Sequence, residues 1–398
     1  RETARDAFQA RDEAIEAIES RMSTQEIRCQ VVTFYNGARY SAYRYRHYND
    51  VRLVFSSELS FAFFGGIYDF WSYPRYSYDC DLFRVYENGE PLKTERYYRW
   101  STNGPEIGEP IFVVGNPGST GRLVTAEMLE FERDLRVPYV LQLLENRKEI
   151  LETHIRSHPE EADAWFDELF GIVNGQEAYH GRLLGLRDDE LIARRHAFDE
   201  AARSAVEKDP TLRDQYDGLW KSIADLVEAR RPHARDIYAT RMQGLGVSAH
   251  VARAGAIAMW REQMSRPEDK RSRFYQGEAS DMLRQQLTTP LELQTDIERM
   301  TLERQLQLMH SLLGTDDPLV RTAFQGEKDA AIAAQRMLDA TVLADSAAVA
   351  AILDGNEDAE SKDPFMQLAT AMLARGMAAA QADGTLSGQL DEQTLHLG

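Results

Sequence analysis

Near residue 120 the chain changes its hydrophobic period, and that change limits the folds open to it. Before it, apolar and aromatic residues alternate over short runs bounded by turn formers, the pattern of half-buried strands. Residues 27–35 and 39–46 flank Asn36-Gly37, a pair that tolerates positive φ and predicts a tight hairpin. Residues 51–55, 82–86 and 111–114 are further strand candidates in a region rich in Tyr, Phe and Val. From about Thr125 the apolar positions recur at helical spacing, through 125–154, 160–180, 188–207, 211–243, 247–264, 278–287, 290–313, 317–325, 327–342, 346–353 and 363–381. Pro210, Pro267, Pro290 and Pro318 punctuate this run, because proline can begin a helix but not continue one. Ahead of the strands, residues 4–22 carry Ala7, Phe8, Ala14, Ile15, Ile18 and Met22 near helical spacing and predict a separate N-terminal helix. The tail from Ala382 is Gly-rich and polar and predicts fraying. The class expected is α+β, with strands first and helices segregated behind them.

At 398 residues the chain is long enough for two or three domains and a large core. Its net charge of −19 argues against a nucleic-acid partner, which wants a basic face, and against an anionic membrane surface. No run of about 18 apolar residues is present, so no membrane insertion by a helix is expected. Two cysteines, Cys29 and Cys80, fall in expected strands and read as buried free thiols rather than a bridge.

The chemistry concentrates in residues 64–86, FGGIYDFWSYPRYSYDCDLFRVY. By residue type alone, Asp79 is either a surface acid in an aromatic turn or a buried carboxylate that needs a partner such as the histidine of a serine-peptidase triad. Competing signals are weaker. The loop Gly115-Asn116-Pro117-Gly118-Ser119-Thr120-Gly121 lacks the spacing of a nucleophile elbow and the lysine of a phosphate loop, so it reads as a tight turn with Ser119 not a nucleophile. His154 and His158 stand four residues apart, but Pro159 ends any helix close by, and no zinc site is assigned there. The apolar positions of 290–313, among them Ile297, Met300, Leu302, Leu306 and Met309, form a core stripe.

Residues 64–86 resemble the bacterial dipeptidyl-peptidase 7 and 11 family of serine exopeptidases, whose members carry a motif of the form GG-x-x-D-N-W-x-W-P-R-H-T-G-D-F-x-x-x-R. Gly65, Gly66, Asp69, Trp71, Pro74, Arg75, Asp79 and Arg84 match; Phe70, Tyr73, Tyr76, Ser77, Tyr78 and Cys80 depart. Residues 46–55, RHYNDVRLVF, are similar to the family's YKRYTDVRLV segment, and 113–123, VVGNPGSTGRL, to its GFPGRT-x-R-Y loop. Residues 174–181, NGQEAYHG, and 361–365, SKDPF, resemble shorter segments of the family's helical domain.

The resemblance implies a chymotrypsin-like double β-barrel with a large inserted helical cap over the cleft. It divides the chain into an N-terminal helix (1–22), a partial first barrel (23–120), the cap (121–381) and a frayed tail or return segment (382–398). It makes Asp79 the triad acid and places Trp71 and Asn174 at the free amine of the substrate. Phe70 stands where the family has an asparagine and offers that amine only a π face. The family's histidine segment, T-N-H-H-C-G, and its serine segment, G-N-S-G-S-P, do not occur in these residues. The chain is therefore expected to be an internal piece of a longer periplasmic or secreted enzyme, inactive by itself, that releases dipeptides from peptide N-termini. No cofactor is required, because the reaction runs through an acyl-enzyme, and a homodimer is a further expectation of the resemblance. The altered motif keeps a second reading open, a non-catalytic peptide-binding or scaffold protein derived from that family.

Overall fold

The computed structural model describes residues 2–62, 78, 80–115, 121, 123–355 and 361–397. The chain divides into two units, residues 1–124 with 394–398, and residues 125–393.

The first unit opens with helix α1 (Glu2–Met22). Strands β1 (Ile27–Phe34) and β2 (Arg39–Arg46) form an antiparallel pair in continuous register from Ile27 opposite Arg46 to Phe34 opposite Arg39. The hairpin forms where Asn36-Gly37 predicts it, but through a four-residue connection with a 3-10 turn that puts Tyr35 and Gly37, rather than Asn36 and Gly37, at positive φ, 51° and 109°. Glu19 of α1 accepts from the Val31 amide at 2.7 Å, tying the helix to the hairpin. A separate sheet has the order β3 (Asp50–Ser56), β4 (Asp81–Glu87), β5 (Glu90–Pro91), all antiparallel, with an irregularity at Leu53–Phe55. A one-turn helix, α2 (Leu59–Ala62), follows β3.

These strands do not close. Among the described residues there is a two-stranded and a three-stranded sheet, and the expected chymotrypsin-like barrel is not formed. Residues 111–114 form no strand; Ile111, Phe112, Val113 and Val114 are exposed, and among the described residues no strand pairs with them. The thiols are both free, as expected, but only Cys29 is buried; Cys80 lies just before β4 and is exposed.

The second unit is all helix. It begins with α3 (Ala126–Phe131), passes through a π-helical turn at Glu132–Arg136, and continues as α4 (Val137–Ser157). There follow α5 (Ala162–Leu186), α6 (Asp189–Lys208), α7 (Pro210–Tyr216), α8 (Leu219–Ala239), α9 (Ala249–Met264), α10 (Gly277–Thr288), α11 (Thr295–Leu313), α12 (Pro318–Phe324), α13 (Ala330–Ala340), α14 (Ser346–Leu353) and α15 (Pro364–Leu395). Asp209 and Asp317 cap α7 and α12, with Pro210 and Pro318 in the first turn, so both breaks anticipated at those prolines are real. The expected helix 211–243 is instead two, parted at Gly218, which is left-handed at φ 73°.

The main core gathers Ile257 of α9, Leu302, Leu306 and Met309 of α11, Met337 of α13, Ile352 of α14, and Phe365 and Met366 of α15. A second cluster packs Leu144 and Leu151 of α4 against Leu169 and Val173 of α5 and Ile297 of α11. The residue 297–309 stripe is thus core, as its spacing predicts.

Helix α15 runs on to Leu395 rather than fraying from 382. Two arginine forks hold it. Arg230 of α8 is bidentate to Asp383 at 2.7 and 3.1 Å, while Arg375 reaches Asp236 of α8 at 2.6 Å and Asp317 at 2.7 Å. Leu390, farther along, is buried.

Candidate functional site

Phe70, Trp71 and Asp79 lie outside the described residues, as does Ser119. The residues beside Asp79 are held in place. The Tyr78 amide donates to Phe61 O at 3.0 Å, the Ser57 hydroxyl donates to Tyr78 O at 2.7 Å, and Tyr78 meets Phe55 edge-on at 5.9 Å. Asp81 opens β4 opposite Ser56 of β3. Asn174 is described and sits exposed on α5. Its neighbours turn inward: Val173 is buried, and Gly175 packs so closely on α4 that a Cβ there would stand 3.2 Å from Leu144.

In the helical unit the structure assembles polar groups that sequence spacing does not bring together. Glu298 of α11 is buried and caps the start of α9. It accepts from the Ser248 hydroxyl at 2.6 Å, the Ala249 and His250 amides at 3.0 and 3.1 Å, and stands 2.8 Å from His250 Nδ1. Burial works to raise this carboxyl, but those donors hold it below the usual carboxylate range. A negative charge at a helix N-terminus is also favoured by the helix dipole. Ser248 is therefore a cap, its proton committed to Glu298, and not a nucleophile awaiting a base. Asp363 does the same for α15, accepting from the Phe365 and Met366 amides at 2.9 and 3.1 Å.

His154, at the end of α4, is fully buried. Its Nδ1 stands 2.6 Å from Asp296 Oδ2 at the start of α11, and its Nε2 stands 3.1 Å from Glu161 Oε2. Burial opposes the charge on the ring, but hydrogen bonds to Asp296 and Glu161 outweigh it and raise its pKa. Asp296 with His154 has the look of half a catalytic triad. The other ring nitrogen faces a carboxylate rather than a hydroxyl, so the pair has no nucleophile to activate.

Beside this cluster is a cavity of about 400 Å³ whose walls include Arg147, Trp165, Glu168, the Gly244–Val247 loop, Gln294 and Thr301. Arg147 donates to Glu168 at 2.6 Å, and Trp165 meets His154 edge-on at 5.6 Å. Gly246 in that loop is at φ 76°, and a Cβ there would stand 2.8 Å from Leu143, so this backbone requires glycine. The sequence signals for these groups were partial. The His154–His158 spacing is visible, whereas Asp296 is 142 residues away from His154.

Among the described residues, the buried polar groups of the helical unit named above serve as helix caps or pair with one another. Comparison with known proteins supplies the class. The chain matches the Peptidase S46 family over residues 1–397, and it belongs to that family. It is 22% identical over 381 residues to an Asp/Glu-specific dipeptidyl-peptidase of Shewanella putrefaciens, covering 91% of this chain and 51% of that protein. It is 34% identical over 110 residues to a dipeptidyl-peptidase 7 of Phocaeicola vulgatus, covering 25% of this chain and 15% of that protein. Among solved structures, Porphyromonas endodontalis DPP11 superposes with a TM-score of 0.65 at 16% identity, over 96% of this chain and 56% of the other. The same protein in complex with the dipeptide Arg-Glu gives 0.63. The chain spans about half the length of the curated relative it matches most fully. No described helix is long and apolar enough to cross a membrane.

Proposed function

We propose that this chain supplies the acid and part of the amine-binding surface of a serine dipeptidyl-peptidase, which releases dipeptides from peptide N-termini through an acyl-enzyme. The observation that carries the proposal is the run of eight motif residues from Gly65 to Arg84, Asp79 among them, in a chain of the Peptidase S46 family. In this reading Asp79 orients the histidine and stabilises the imidazolium that forms when the serine attacks. Trp71, with its π face, and Asn174, with its amide oxygen, bind the α-ammonium of the substrate. Phe70 contributes a second aromatic face where an amide is expected, which weakens hydrogen bonding to that amine. Histidine and serine come from the T-N-H-H-C-G and G-N-S-G-S-P segments, which are not among these 398 residues, so the activity belongs to a longer protein. That protein completes the chymotrypsin-like barrels, with the helical unit as their cap. It acts in the periplasm or is secreted, and it works as a homodimer.

In the protein carrying all three triad residues, Asp79→Asn is expected to lower kcat about 10⁴-fold with an unchanged fold. Turnover within a few-fold of the parent removes Asp79 from the triad. The second reading, a non-catalytic peptide-binding scaffold, rests on Phe70, Tyr76 and Tyr78 in place of the family's Asn, His and Gly. It predicts peptide binding without release in the parent protein itself.

A further inference from the structure

We propose that His154, His158 and Asp296 bind a divalent transition-metal ion of the zinc class, which clamps the end of α4 to the start of α11. The geometry points there first. One ligand atom from each of the three residues lies within 4.8 Å of the other two. Helix α4 ends at Ser157, as Pro159 requires, yet His158 as its C-cap remains stacked on His154 with ring centroids 4.6 Å apart. The two imidazoles thus stay side by side, and since their lone pairs lie in the ring planes a swivel of His158 out of the stack brings its donor toward the point Asp296 reaches from α11.

The hydrogen bonds around the cluster assign the donors. His154 Nε2 lies against Glu161 Oε2, which leaves Nδ1 on the Asp296 side for the metal. His158 Nδ1 lies 3.2 Å from His154 O and donates to it, leaving Nε2 with the lone pair. Metal-bound histidines characteristically have their other ring nitrogen held by a carboxylate or a backbone carbonyl, and both arrangements occur here. Glu161 is itself oriented, accepting from Trp165 Nε1 at 3.4 Å and Gln294 Nε2 at 3.2 Å.

Charge supplies an independent argument. Two carboxylates converge on one buried ring, and neither has a lysine or arginine ion-pair partner among the described residues. A protonated His154 offsets one of them; a divalent cation in place of its Nδ1 proton balances both. Imidazole nitrogen with carboxylate oxygen is a donor set suited to zinc. Three protein donors leave the fourth tetrahedral position to water, and the Asp296 side chain, 35% exposed, gives access from solvent. At metal bonds of about 2.0–2.1 Å the donors of a tetrahedral site stand ~3.3 Å apart. The His154–Asp296 hydrogen bond must open by several tenths of an ångström, and the Nδ1 proton leaves to water as the metal enters.

The test uses Zn²⁺ and Co²⁺ as probes on the chelator-stripped chain. Expected are one Zn²⁺ per chain by calorimetry, a Tm raised by several degrees with zinc, and the visible absorption of tetrahedral Co²⁺. His158→Ala and Asp296→Asn should each weaken Zn²⁺ binding tenfold or more. Both positions are partly exposed, and unchanged circular dichroism checks that the variants fold. His158→Ala serves if Asp296→Asn does not fold. The proposal is overturned if zinc shifts Tm equally in parent and His158→Ala, if Co²⁺ stays octahedral in the parent, or if no binding is found.

Discussion

The two units bury apolar surface in different ways. In the helical unit, side chains from six or more helices meet in common clusters, and Leu302 and Leu306 are completely buried. In the β-rich unit, Cys29 is the one buried hydrophobic side chain among the described residues. Leu53 of β3 is 59% exposed and Phe83 of β4 is 60% exposed, although the two are paired across the sheet. Strand order there rests on backbone hydrogen bonds, the hairpin turn and side-chain ties such as Glu19 to Val31. The large core and the motif residues fall in different halves of the chain. The motif residues lie in the unit with almost no core, and the large core lies in the unit whose polar groups are mostly caps and clamps.

That contrast can be broken by substitution. Leu302→Ala should destabilise the helical unit by about 2–5 kcal/mol, since it removes a fully buried side chain and leaves a cavity; chemical denaturation measures it. Glu298→Ala should cost about 2–4 kcal/mol, because the Ser248 hydroxyl and two backbone amides lose a charged acceptor in a buried place. Acid should reach the same unit. Glu298 and Asp317 have pKa values lowered in the fold; burial opposes this, but hydrogen bonds from His250 and Ser248 in one case and Arg375 in the other prevail. A lowered carboxylate contributes stability above its unfolded pKa of about 4 and loses it as pH falls through the folded value. Tm should therefore fall steeply below about pH 4, after a gain between pH 7 and 6 as His154, raised by Asp296 and Glu161, takes up its proton. A Tm that holds level from pH 5 down to 3 contradicts the assignment of these caps. The smallest effects belong to exposed positions: Leu53→Ala and Asn174→Ala should each change stability by no more than about 0.5 kcal/mol. If Asn174 binds the substrate amine, Asn174→Ala will raise KM in the longer protein while leaving this stability untouched.

Local signals were legible in the sequence, and long-range ones were not. Asn36-Gly37 marked its hairpin, and Asp209-Pro210 and Asp317-Pro318 marked helix starts, because caps and turns are set by residues a few positions apart. The end of α15 was not legible. Gly384 and Gly388 weaken a helix by propensity, but the Arg230–Asp383 fork and buried Leu390 override them. Residues 111–114 carried an apolar strand pattern that no strand among the described residues pairs with. The same limit governs the sites. Asp79 and Trp71 stood out through a motif contiguous in sequence. Glu298 under α9 and Asp296 beside His154 are brought into place only by the helix packing.

In the proposed reading Asp79 is the acid of a triad whose base and nucleophile come from segments other than these 398 residues. The direct test is dipeptide release from chromogenic dipeptide substrates by the purified 398-residue chain. No release above the buffer rate is predicted. Release that a serine-directed inhibitor blocks, and that Asp79→Asn abolishes, would contradict the claim.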